Sequence, residues 1–262
     1  MSDFDRNYGA ATRGVSADRA VTIDAGLRAY MIRVYNYMAI GVALTGVAAW
    51  LAFQMAGGDA IQVTARGISG VTPFGQFIFS LPGLIILGLG TFGLVMFINF
   101  RIHALQPSTA TFLFMLYAGL LGVFLSPIFV QYTGASITRV FFISAASFGA
   151  LSLWGYTTQR DLTGMGAFLM MGLIGLVLAM LVNMVLMAFG VKTGPLDFII
   201  SIIGVLIFAG LTAYDTQKIK EMYDPMEDGT LAGRKAVMGA LTLYLDFINL
   251  FLFMLRLFGD RR

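Results

Sequence analysis

The sequence predicts an all-α membrane protein of seven transmembrane helices, and three observations carry that prediction. Of its 262 residues, 58% are hydrophobic and only 12% are charged, with a mean hydropathy of +0.82. A water-facing domain normally carries charge at roughly a quarter of its positions. Runs free of charge repeatedly reach the roughly 20 residues that cross about 30 Å of hydrocarbon at about 1.5 Å per residue. The chain also holds 31 glycines. Small residues let membrane helices approach closely, whereas so many would destabilise helices in water.

Taken in order, residues 1–30 are polar and mixed in charge, without an apolar core followed by a small-residue cleavage site. They read as a flexible cytoplasmic tail, not a signal peptide. The first span lies near Tyr35–Met55, the second near Gln76–Phe100, the third near Ser108–Phe129 and the fourth near Val140–Thr157. The fifth lies within the uncharged stretch Leu162–Val191, the sixth runs from about Leu196 to Gln217, and the seventh from about Ala236 to Leu255, interrupted by Asp246. The spans occupy a domain from residue 31 to 258, and 259–262 form a short C-terminal tail. Pro82 and Pro127 are candidate kinks, because proline removes a helix hydrogen bond. The connector from Gly57 to Gly75 reads as a partly structured loop.

Orientation follows from Lys and Arg in the short loops. With the N-terminus inside, the inner segments hold Arg6, Arg13, Arg19, Arg28, Arg33, Arg101, Arg160, Lys218, Lys220, Arg234 and Lys235. The outer segments hold Arg66, Arg139, Lys192, Arg256, Arg261 and Arg262, so the bias is 11 against 6. The basic C-terminus conflicts with the rule. A seventh helix that entered and returned would place its three arginines inside, but the segment is long enough to cross, which favours a C-terminus outside.

Composition also narrows the chemistry. There is no cysteine, and His103 is the only histidine, which leaves no thiolate site and nearly excludes zinc. His103 reads as an interfacial residue. The net charge of +3 is ordinary for a membrane protein with basic cytoplasmic loops and does not imply nucleic-acid binding. No Walker sequence, dinucleotide glycine fingerprint or HExxH motif is present, so no cofactor is implied and an enzyme is the weaker class. Glu221, Asp224, Glu227 and Asp228 cluster in the loop between spans six and seven, without EF-hand spacing. They read as a solvated loop.

Two acids stand apart. An ionised Asp at a helix centre costs roughly 2.5–3.5 kcal/mol on insertion scales, so such residues face the bundle interior and have a partner or a function. Asp246 lies midway along the seventh span, in a polar stripe with Gly239, Thr242 and Asn249 at helical spacing. Asp215 lies about a turn from the inner end of the sixth, with Ser201 and Thr212 on its side. Both fall in the inner half of antiparallel neighbours, Asp246 deeper. Arg101 ends the second span on the same side and offers a cation. The plainer readings are packing roles for the acids and topology anchoring for Arg101.

The stretch LSPIFVQYTGASITRVFFISAASFGALSLWGYTTQRDLT, from Leu125 to Thr163, resembles the signature region of the Bax inhibitor-1, or transmembrane Bax inhibitor motif, family. LTAYDTQKI at Leu211–Ile219 and LYLDFINLF at Leu243–Phe251 resemble its last two helices. The resemblance implies a central hydrophobic C-terminal helix surrounded by two groups of three, a full seventh crossing, and a pH-sensitive calcium leak of the bacterial inner membrane. Its paired aspartates match Asp215 and Asp246, which become the expected pH sensor and site for calcium. Its helix-two arginine matches Arg101 as a provisional latch. Some relatives carry a glutamate in the second helix, and none lies between Gln76 and Phe100 here. Bacterial relatives include modulators of a membrane-bound AAA protease, so a regulator of another membrane protein is the alternative. Two carboxylates about 4 Å apart repel by about 4 kcal/mol at an effective dielectric near 20. The expectation is a pair that holds one shared proton near neutrality, with Thr212, Thr242 and Asn249 supporting it.

Overall fold

The computed structural model describes residues 3–64, 67–191 and 193–262, with side chains from residue 25 onward except 63–68. Most side chains of the expected tail, and Arg66 and Lys192 of the charge count, therefore lie outside the described residues. Nine helices occur among the described residues. They are α1 (Asp3–Ala56), α2 (Pro73–Phe79), α3 (Leu81–Arg101), α4 (Pro107–Leu125), α5 (Ile128–Gln131), α6 (Gly134–Thr157), α7 (Thr163–Ala188), α8 (Gly194–Glu221) and α9 (Gly229–Phe258). Seven segments are long and apolar enough to cross a membrane, the first being Ala25–Ala56. Hydrocarbon offers the backbone no partners, so an apolar segment must satisfy its own N–H and C=O groups by coiling.

Local chemistry sets the boundaries, and several differ from the sequence expectation. Gln76 does not begin the second span, because it lies in α2 and the chain turns at Ser80, whose side chain caps α3 by accepting from the Gly83 N–H at 3.1 Å. Pro82 falls in the first turn of α3, where a missing N–H is harmless, so it starts the helix without kinking it. Pro127 does interrupt, and the third span is broken between α4 and α5 at Ser126 and Pro127. α7 stops in a Schellman arrangement. Gly190 has φ +78°, its N–H bonds the Met187 carbonyl at 2.9 Å, and the Val191 N–H bonds that of Leu186 at 3.0 Å. α9 begins at Gly229, ahead of Ala236, because Asp228 caps it through the Leu231 N–H at 2.7 Å. The 57–75 connector holds a helical turn at Gly58–Ala60 and an antiparallel pair of short strands, β1 (Gln62–Thr64) and β2 (Gly67–Ser69), followed by the start of α2.

The C-terminal helix is the centre. Of the apolar window of α9, 72% is buried, against 17–44% in the other spans. It packs on α1 and α4 from one group, which α3 completes, and on α6 and α8 from the other, which α7 completes. Glycines bring these helices together: Gly122 on α4 lies against the Thr45 carbonyl of α1, and Gly155 on α6 against the Ala213 carbonyl of α8. Tyr244 ties α9 to the first group. Its ring meets Phe114 and Tyr117 edge-on, and its hydroxyl lies 2.6 Å from Thr45 Oγ1. Thr45 donates toward the carbonyls of Gly41 and Ala118, each at 2.9 Å, so the Tyr244 hydroxyl is left as the donor between the two.

After α9 the chain is pinned across the start of α6. Asp260 N–H donates to Ser136 Oγ at 2.8 Å, Thr133 N–H to the Asp260 carbonyl at 3.1 Å, and Arg262 N–H to the Gln131 carbonyl at 3.0 Å. The last arginines are thereby held at one end of the bundle, opposite the loop between α8 and α9.

Candidate functional site: a buried aspartate pair

α8 and α9 run antiparallel, and their register is fixed by two close approaches, Gly239 against Ile219 and Gly204 against Phe253. Asp215 is thus level with Thr242 and Leu243. Asp246 lies about one turn deeper, roughly 4.5 Å along the axis at about 1.5 Å per residue. Their carboxyl groups come within hydrogen-bonding reach of each other. Asp246 is only 5% exposed and its Oδ2 meets no donor among the described residues. Asp215 is half-buried, and the positive charge of Lys218, one turn further along α8, acts on it. Neither acid forms an ion pair among the described residues. Two carboxyl groups have no hydrogen of their own when ionised, so a proton or a cation is what would satisfy the facing oxygens.

The expected supporting residues are near the pair but spent elsewhere. Thr212 Oγ1 donates to the Phe208 carbonyl at 2.7 Å, Thr242 Oγ1 to that of Met238 at 3.1 Å, and Asn249 Nδ2 to that of Leu245 at 2.8 Å. Each satisfies its own helix. Arg101 is not brought to the pair: it is exposed in the last turn of α3, with His103 exposed just beyond. The acidic loop is partly structural, since Glu227 pairs with Lys235, Asp228 caps α9, and Asp224 accepts from the Met226 N–H at 2.9 Å.

Sequence reasoning missed a polar chain beside the pair. Tyr35 Oη lies 2.6 Å from Ser152 Oγ, which lies 2.9 Å from Thr216 Oγ1, and Thr216 donates to the Thr212 carbonyl at 2.7 Å. This joins α1, α6 and α8 next to Asp215. Gln217 then clamps the α6–α7 connection, accepting from the Leu162 N–H at 2.9 Å and donating to the Arg160 carbonyl at 2.8 Å. The signal was adjacency, as Thr216 and Gln217 directly follow Asp215 along α8. Among the described residues no group of three or more His, Cys, Asp or Glu could hold a metal ion. Calcium takes six to eight oxygens. Two carboxyl groups supply at most four of them.

The family model described as Inhibitor of apoptosis-promoting Bax1 matches residues 27–262. The inner membrane protein YbhL of Escherichia coli (strain K12) is 46% identical over 94% of this chain and 97% of its own. A protein of Rickettsia prowazekii (strain Madrid E) is 46% identical over 92% and 93%, and one of Caulobacter vibrioides is 41% identical over the whole of both chains. With six apolar spans around a seventh, buried C-terminal one and a family match that begins at the first span, the chain belongs to the Bax inhibitor-1 family of membrane proteins.

Proposed function

We propose that this protein is a pH-sensitive cation leak of the bacterial inner membrane, that calcium is its cargo, and that Asp215 and Asp246 are its gate. One observation supports this above the rest: Asp246 is enclosed in the bundle beside a second acid, and one of its carboxylate oxygens meets no donor among the described residues. Leaving a buried charged acceptor unsatisfied is costly, so the pair takes up either a proton or a cation. A shared proton lets one carboxyl donate to the other and holds α8 against α9. A second proton, on mild acidification, removes the remaining charge and loosens that tie, which favours opening. The membrane assignment draws on YbhL, and the cytoplasmic N-terminus on the distribution of Arg and Lys.

Calcium flux into liposomes loaded with a calcium dye tests the proposal. Purified protein should raise the flux, and more so at mildly acidic pH. A dye signal identical to that of protein-free liposomes at every pH overturns the leak. It leaves the regulator of another membrane protein, for which the polar N-terminal part of α1, ahead of the Ala25–Ala56 span, is the handle.

A further inference from the structure

At the end of the bundle opposite the aspartate pair, the start of α8 and the end of α7 enclose a cavity of about 630 Å³ with the C-terminal arginines. Its polar lining combines opposite charges, Asp197 with Arg256 and Arg261. Among the described residues these charges do not pair with one another. Groups of opposite sign that share a cavity without closing on each other leave room for a ligand bearing both signs.

Asp197 is held in a fixed orientation. Asn183, on the neighbouring helix, donates from Nδ2 to Asp197 Oδ1 at 2.6 Å. Asn183 is only 7% exposed, and its Oδ1 meets no donor among the described residues. The bond from Asn183 holds the Asp197 carboxylate in place on the cavity wall, where it can receive a ligand cation. Among the basic residues, Arg261 is fastened by the bridge between its backbone and Tyr132, while the Arg256 guanidinium lies 5.4 Å from the centroid of the Phe253 ring. Neither arginine follows the positive-inside bias expected if the C-terminus is outside. Binding an anion there accounts for their presence.

The remaining walls identify the source of the ligand. Met184, Met187 and Phe198 line the same cavity and are 61%, 58% and 59% exposed. On membrane-spanning helices such surface faces acyl chains. We infer that this cavity binds the headgroup of an amine-bearing phospholipid, such as phosphatidylethanolamine: its ammonium on Asp197, its phosphate on Arg256 and Arg261, and its acyl chains along the Met184 and Phe198 face. The inference stands on its own observations and does not depend on the leak.

The experiment uses the full chain, delipidated in detergent and offered phosphatidylethanolamine and phosphatidylglycerol at equal concentration, with bound lipid counted by native mass spectrometry. The wild type should prefer phosphatidylethanolamine by roughly tenfold, the effect of one charge-assisted hydrogen bond. Asp197→Asn keeps an acceptor for Asn183 but removes the charge, and should bring the two lipids to near parity. Arg256→Gln with Arg261→Gln should lower both by a similar factor while leaving the headgroup preference in place. Equal binding of the two lipids by the wild type, or an unchanged preference in Asp197→Asn, overturns the inference. Displacement of the lipid by soluble phosphoethanolamine at the same concentration would assign the site to a free zwitterion and overturn the lipid source.

Discussion

The Asp246 carboxyl faces that of Asp215 from about one helical turn deeper in the bundle, and neither acid has a cation paired to it among the described residues. Each is therefore the other's main electrostatic partner, and removing either charge abolishes the competition for a shared proton. Asp215→Asn and Asp246→Asn should each flatten the pH dependence of calcium flux across the neutral range, measured in dye-loaded liposomes after insertion has been verified. Wild-type pH profiles in both variants would make the two acids structural.

Arg101 tests whether a second arrangement of the gate exists. A latched state would bring it to the pair, and Arg101→Ala would then raise the basal leak. In the arrangement described here it is exposed at the end of α3, where its contribution is that of an interfacial anchor. An unchanged flux at each pH is the expected outcome, and a raised flux would establish the latch.

Topology follows from the charge count and from the length of α9, which at 30 residues covers about 45 Å at roughly 1.5 Å per residue. Reporter fusions should place the N-terminus in the cytoplasm and the C-terminus outside. A cytoplasmic C-terminal reporter beside a cytoplasmic N-terminus would contradict the seventh crossing and separate the last arginines from the start of α8.

Helix contact depends on particular glycines. A Cβ at Gly155 would run into the Ala213 carbonyl of α8, whereas one at Gly175 would meet open space. Gly155→Ala should destabilise the protein by about 1–3 kcal/mol, the usual cost of overpacking. Gly175→Ala should be neutral or slightly stabilising. Thermal unfolding in detergent gives both values, and equal melting temperatures would show that α6 and α8 adjust without strain.

How much of this was legible in the chain depended on how far each feature reaches. Apolar runs of sufficient length, their flanking charges, and acids at Asp215 and Asp246 that could not face lipid were all readable. Each is a property of one segment and its solvent: the backbone must satisfy itself in hydrocarbon, and a charge there carries an insertion cost whatever lies beside it. The expected start of the second span at Gln76 failed because capping by Ser80 and the position of Pro82 broke the helix where hydropathy did not change. Tertiary structure alone decided the partners. Thr45 and Tyr244 are 199 residues apart, and Ser152 and Thr216 are 64 apart; nothing in either local sequence selects the other. Helix packing also left Arg101 at the surface and gathered Asn183, Asp197 and the last arginines around one cavity. Periodicity shows which face of a helix must be buried, but the close approaches at Gly122, Gly155, Gly204 and Gly239 set the registers that determine which side chains meet there.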